Sequence, residues 1–343
     1  MSTPLLSVVI PTYNRKDLLK ECLDSLFDQT YPKEDYEIVV VDDGSTDGTE
    51  DMLKAMAAEH GNLRYFRQEN GGPATAKNRG VKNSRGNTVV FLDSDCSAPA
   101  ILLASMQKLI QKYPDIAAFV GDIILIPKNR FFKKFYDLFE ITKPKILPMR
   151  IFDKPFPVSR FYSGCAAVRR DAYEKAGGFD ERFKWAGEDA NFGFKLLEKG
   201  FMICNSWDIY TYHHEKDPWT EFVARNFYFG ISDVLGFKEH FSGWEVVSTC
   251  SDDPRARGGM NFSFFIHFNM IKTMILLSII SAAFPVAGSS LLLIFLLKHY
   301  MRTARVGGDP MTFVAYIAYR LLTDTPRLAG WIAGSIRYGV IYL

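Results

Sequence analysis

At 343 residues the chain is long enough for one large α/β domain plus an appendage. A formal net charge of +2, with no extended basic run, excludes a nucleic-acid-binding stripe. Five cysteines, odd in number and scattered without metal-ligand spacing, exclude a disulfide framework and suit a reducing compartment.

The opening MSTPLLSVVIPTYNR lacks the basic and apolar segments of a signal peptide. LLSVVI reads instead as a strand, and the first domain is expected on the cytoplasmic side. A helix is predicted over Lys16–Asp28, with Leu18, Leu19, Leu23 and Leu26 on one face. The strand EIVVVDD leads into GSTDGTEDMLKAMAAEH, whose Ser, Thr and Asp cluster marks a helix start. LRYFRQE is followed by a glycine turn and the helix ATAKNRGVKNS, and NTVVFLDSD by ILLASMQKLIQKY. Apolar strands separated by crossover helices predict a mostly parallel sheet covered on both faces, Rossmann-like in kind. Ligands of such sheets bind beyond the strands' carboxyl ends, where Asp42, Asp43, Asp93 and Asp95 fall.

Further on, IAAFVGDIILI reads as a strand and RFFKKFYDLFE as an amphipathic helix, while four prolines make 143–158 an irregular loop. A short strand near Ser163–Val168, the turn GGFD, the helix GEDANFGFKLLEKG and the strand FMICNSWDIYTYHHE follow. WTEFVARNFYFGISDVLGF is an amphipathic helix expected to connect the globular part to a membrane. From Thr273 to Leu297 no residue is charged, longer than the roughly 18 residues that mark a membrane-helix candidate. Pro285 and Gly288 interrupt the run, and basic residues flank it on both sides, which favours a hairpin with both ends cytoplasmic. The expected division is 1–215 catalytic, 216–258 connecting helices and 259–343 membrane-attachment helices.

Two carboxylates one residue apart repel each other's charge unless a cation lies between them. Asp93 and Asp95, hard oxygen ligands ending an apolar run, suit Mg²⁺ or Mn²⁺ bridging to phosphates. Asp42 and Asp43 end the second strand, where a carboxylate can accept from a base or a ribose hydroxyl. Gly71 and Gly72 permit close backbone approach at a helix start that also carries Lys77 and Arg79, a pattern able to receive phosphate. Glu188 and Asp189 open a helix after Gly187, where a carboxylate could act as a general base. Adjacent His213 and His214 point to opposite faces of a strand, so one imidazole can join Asp95 at a cation.

Taken together, SVVIPTYNR, VVDDGSTDGT, GGPATAKNRG, VVFLDSD, GGFDERF and WAGEDANFGFKLLEKG resemble the family 2 glycosyltransferases of the GT-A fold, in order, across about residues 5–215. The resemblance implies a nucleotide-diphospho-sugar donor, a divalent metal and inversion at the anomeric carbon. It places Pro11, Tyr13, Asp42 and Asp43 at the nucleoside, and Lys77 and Asn78 among the donor contacts. Asp93 is placed at ribose or metal and Asp95 at the metal. It makes Asp189 the base, with Glu188 positioning acceptor or base, and His213 a metal ligand with His214 the alternative. Lys77 and Lys195 stand where the family often has arginine, keeping charge but losing the bidentate fork. The apolar tail points to a membrane-held, lipid-linked or polysaccharide acceptor, and no nucleic-acid partner is expected. The rival readings are a nucleotidyltransferase of related fold and an inactive membrane-bound scaffold that binds nucleotide sugars or glycans.

Overall fold

The structure is a computed structural model that describes residues 5–127, 156–157, 161–215, 219–240, 296 and 310–338. The chain divides into two units, one holding 1–126, 150–215 and 248–259, the other 127–149, 216–247 and 260–343.

In the first unit the element order is β1 (Leu6–Thr12), α1 (Lys16–Phe27), β2 (Tyr36–Asp42), α2 (Thr49–Glu59), β3 (Leu63–Arg67), α3 (Pro73–Lys82), β4 (Thr88–Phe91), β5 (Cys96–Ser97) and α4 (Leu102–Lys112). There follow β6 (Ala118–Pro127), β7 (Phe156–Pro157), a 3-10 turn at Ser163–Cys165, β8 (Ala166–Arg169), α5 (Arg170–Ala176), α6 (Glu188–Glu198) and β9 (Ile203–Glu215). The sheet runs β3-β2-β1-β4-β8-β6-β9-β5, with β7 also on β9.

β3-β2-β1-β4 is parallel, with Val9 opposite both Val39 and Phe91. Beyond β4 the pairings of β8, β6, β5 and β7 are antiparallel, which corrects the expectation of a mostly parallel sheet. The strands that pair this way are short or lie far from their partners in sequence, so no crossover pattern announces them.

Alternation of strand side chains divides the core into two layers. Leu6, Val8, Ile10, Ile38 and Val40 pack with Leu19, Leu23 and Leu26 of α1 and Leu102, Leu103 and Met106 of α4. Val9, Val39, Val89 and Phe91 pack on the other face with Val81 of α3 and Phe192 and Leu196 of α6. α1 forms because its leucines and Cys22 recur at helical spacing, all buried, with Asp17 in the first turn favoured by the helix dipole. Each fully buried leucine contributes about 1.5–3 kcal/mol by leaving water. Gly80 lets α3 lie directly on β1, since a Cβ there would meet Val9 Cγ1 at 2.3 Å.

In the second unit, α7 (Trp219–His240) and α8 (Pro310–Tyr338) pack against each other. They cross at Gly230 and Gly330, where a Cβ would meet Arg327 O at 2.2 Å and Phe227 O at 2.0 Å respectively. Asp233 accepts from Arg327 Nε at 2.8 Å and from the buried Trp331 Nε1 at 2.9 Å. Among the described residues no helix is long and apolar enough to cross a membrane. The uncharged run 273–297 apart from residue 296, the helix RFFKKFYDLFE and most of the loop 143–158 lie outside the described residues.

Candidate active site

β1 and β2 end side by side, with Thr12 opposite Asp42, and bring Pro11, Tyr13, Asp42 and Asp43 together as expected. Tyr13 alone among them is exposed. Asp42 is fully buried and accepts from the Ser45 amide at 2.9 Å and from Arg67 at 3.3 Å. Asp43 accepts from Gln68 Nε2 at 2.7 Å and from the amides of Gly71 and Gly72 at 2.9 and 2.8 Å. That clamp explains the glycines. Gly72 has φ +92°, and a Cβ on it would strike Lys184 O at 2.3 Å. Asp43 therefore ties the glycine turn to β2, and the turn in turn packs on the chain that leads to α6.

α3 leaves this turn and carries Lys77 and Asn78, both expected among the donor contacts. Lys77 is buried, with Nζ 2.7 Å from Glu188 Oε1 and 2.8 Å from Asp189 Oδ1, and it also donates to Ser163 Oγ. It lies 5.1 Å from the centroid of Phe179, within the aromatic group of Phe91, Phe161, Tyr173 and Phe192. Burial in that apolar floor acts to lower the ammonium pKa. The carboxylates of Asp189, Glu188 and Asp93 together overcome it and raise the value. Asn78 donates to Phe179 O and Glu181 Oε1 and accepts from Tyr173 and the Phe179 amide, so it fixes the GGFD turn. In the structure both residues make internal contacts, Lys77 to the acids of α6 and Asn78 to the GGFD turn. Their charge and polarity were legible in sequence, whereas their burial under α6 was not.

α6 opens at Gly187, whose φ of +87° turns the chain so that Glu188 and Asp189 occupy the first helical turn. Glu188 is buried, and burial raises its pKa against the pull of Lys77. Asp189, 24% exposed, also accepts from the Ser163 amide at 2.8 Å and from Ser163 Oγ at 2.9 Å, both at Oδ2. Lys195 caps carbonyls instead, donating to Gly177 O and Gly178 O.

β4 ends at Phe91, and residues 92–95 form a turn closed by the Cys96 amide on Asp93 O at 3.0 Å. Strand alternation therefore does not govern Asp93 and Asp95, which take different hydrogen-bond partners. Asp93 lies toward Ser163, whose Oγ is 3.4 Å from its Oδ1. Asp95 receives a hydrogen bond from Arg15 and lies 3.4 Å from His213 Nε2. The β5–β9 register puts Cys96 opposite His213, while His214 Nε2 bonds Ser97 Oγ at 2.8 Å on the other side. The His213 imidazole thus joins the Asp95 carboxylate, while His214 meets Asp95 only through its backbone amide, which donates to Asp95 O at 2.8 Å.

Asp95, Cys96 and His213 bring ligand atoms within 4.8 Å of one another, a group that does not include Asp93. Burial acts to raise the Asp95 carboxyl. The His213 hydrogen bond and the charges of Arg15 and His213 outweigh it and hold the carboxyl at about 2. Burial, reinforced by Asp93 and Asp95, pushes the Cys96 thiol well up, so it offers no thiolate. The effective donors are one carboxylate and one imidazole, a set that fits Mn²⁺ or Mg²⁺ with further oxygen ligands from outside the protein. Sequence reasoning missed Arg15 and Ser163. Arg15 stood in the quoted SVVIPTYNR, but nothing in that stretch marks it as reaching across 80 residues to Asp95.

Residues 7–177 match the family model for glycosyl transferase family 2. Validoxylamine A glucosyltransferase of Streptomyces hygroscopicus subsp. limoneus is 30% identical over 237 residues, 61% of this chain and 52% of that protein. The GalNAc(5)-diNAcBac-PP-undecaprenol beta-1,3-glucosyltransferase of Campylobacter jejuni is 30% identical over 210 residues, 60% of this chain and 64% of that protein. The matched segments span 14%, 31% and 52% of three curated relatives' own lengths, about half or less. The solved mannosyltransferase PcManGT from Pyrobaculum calidifontis, in complex with GDP-Man and Mn²⁺, superposes with a TM-score of 0.63. That superposition covers 97% of this chain and 88% of that one at 21% identity, a likeness of fold.

Proposed function

Through residues 7–177 the chain belongs to glycosyl transferase family 2, and on that premise we propose that it moves a sugar, with inversion, from a nucleotide-diphospho-sugar to an acceptor hydroxyl. The observation that carries this reading is the gathering of Asp93, Glu188 and Asp189 around one buried lysine, next to the Asp95–His213 pair. Of the two acids that open α6, Asp189 is the one exposed enough to meet an acceptor, 24% against 8% for Glu188.

In the proposed reaction Asp189 takes the proton of the acceptor hydroxyl. The acceptor oxygen bonds to the anomeric carbon as the bond from that carbon to the diphosphate oxygen breaks. The nucleoside diphosphate leaves with the electron pair. Asp95 and His213 would hold a divalent ion, which when bound neutralises charge growing on the departing diphosphate. Lys77 sets one cation against both Asp189 and Glu188 in an apolar floor where two adjacent carboxylates would otherwise repel.

The acceptor we propose is lipid-linked or a surface glycan, met by a membrane-attached chain with this unit on the cytoplasmic side. The support is the uncharged stretch 273–297 and the undecaprenol-linked substrate named for the Campylobacter relative.

A screen of nucleotide sugars with Mn²⁺ or Mg²⁺, reading nucleoside diphosphate release with and without polyprenyl-linked acceptors, tests the activity. Asp189→Asn is expected to retain donor binding and to lose transfer by about 10²–10⁴-fold. Near-normal turnover by that variant would remove Asp189 from the base role.

A further inference from the structure

Ser163 lies in the turn FYSGC, a stretch with no catalytic signature, and it is 1% exposed. It is nonetheless the side chain at which the acids of two elements meet. Its Oγ is 2.9 Å from Asp189 Oδ2 and 3.4 Å from Asp93 Oδ1, and it accepts from Lys77 Nζ. A hydroxyl has one proton to give. With Lys77 occupying a lone pair of Oγ, that proton goes to the nearer acid, Asp189.

The turn is held in place from both sides. Thr211, fully buried on β9, donates to Gly164 O at 3.1 Å. Gly164 has no space for a side chain, because a Cβ would meet Ile123 Cδ1 at 2.8 Å and Asp93 Oδ2 at 3.1 Å. The glycine allows the turn to press against Asp93 while the preceding residue reaches Asp189. Both the amide and the hydroxyl of Ser163 then converge on the same oxygen, Oδ2.

A carboxylate has about four lone-pair sites. Ser163 takes two at Oδ2 and Lys77 takes one at Oδ1. The position left for an acceptor proton is therefore on Oδ1.

We propose that Ser163 is a positioning residue for the transfer reaction, pinning Oδ2 of Asp189 so that Oδ1 is presented to the acceptor hydroxyl. This rests on the glycosyltransferase reading, with Asp189 as base. The role is one of orientation, and orientation of a reacting group acts on turnover more than on the binding of a donor it does not touch.

The test uses the full chain with a sugar nucleotide that the wild type turns over. Ser163→Ala removes the hydroxyl and leaves the amide. The expected result is a fall in kcat of about tenfold or more, with the donor KM and the dissociation constant for the nucleoside diphosphate within about twofold of wild type. Ser163→Thr, which keeps the hydroxyl, is expected to recover most of the lost kcat. Retained donor binding shows that the alanine variant is folded. Unchanged kcat in Ser163→Ala, or equal losses in kcat and donor affinity, would overturn the positioning role while leaving the glycosyltransferase reading intact. A wild type that transfers from no sugar nucleotide would overturn that reading and this inference with it.

Discussion

The acids at the end of β2 and those beyond β4 are held by different chemistry. Asp43 is clamped mainly by backbone amides, those of Gly71 and Gly72, while Asp42 takes the amide of Ser45 and the guanidinium of Arg67. Asp95, Glu188 and Asp189 are matched instead by the side chains of Arg15, His213, Lys77 and Ser163. An amide belongs to the turn it sits in and cannot be traded for another partner. A side-chain cation can swing away or yield to an incoming ion. The first region is therefore built for shape and the second for exchange. The proposed metal and acceptor chemistry falls where the partners are replaceable.

The largest effect that separates the two regions is expected at Lys77. Lys77→Met leaves Glu188 and Asp189 with no counter-charge in a buried setting, and a loss of about 3–5 kcal/mol is expected in urea unfolding. Adding Glu188→Gln should return part of it, and no recovery would mean that the lysine matters as a packed stem rather than as a charge. A smaller loss, about 1–3 kcal/mol, is expected for Asp43→Ala, which strands the amides of Gly71 and Gly72. That loss should be indifferent to salt, since no ion pair is broken, and strong salt dependence would dissolve the distinction drawn above. The smallest effect is expected at Arg15. Its side chain is 37% exposed, so Arg15→Gln should tighten Mn²⁺ binding, read by spin resonance without substrate, by only about threefold. Unchanged Mn²⁺ affinity would show that Arg15 and the ion do not compete for Asp95.

The parallel half of the sheet was legible because LSVVIPT and YEIVVVD are long, apolar and separated by helices with clear stripes. The other half was not. β5 is two residues long and β8 four, too short to show a period, and their partners lie 46 to 117 residues away in sequence. The site divides in the same way. Alternation showed that only one of His213 and His214 could join Asp95, and the register with Cys96 identifies which. The Asp93–Asp95 spacing misled because the strand stops at Phe91, two residues before the first acid. The partners of Lys77 were hidden for a different reason. A cation after a glycine-rich helix start gives no local sign that it will pair with the acids that open α6. Ser163 carries no signal at all, since a buried serine before a glycine is ordinary turn composition.

In the second unit, the crossing of α7 and α8 at Gly230 and Gly330 leaves no room for even a methyl group on either helix. Such a joint works as a keyway. Sliding one helix by a single position would drive a bulkier neighbour into the opposing main chain, so the two can be lengthened at their ends but not re-phased. Grafting this helix pair onto another protein would require carrying both glycines together, at matched height, as one inseparable part.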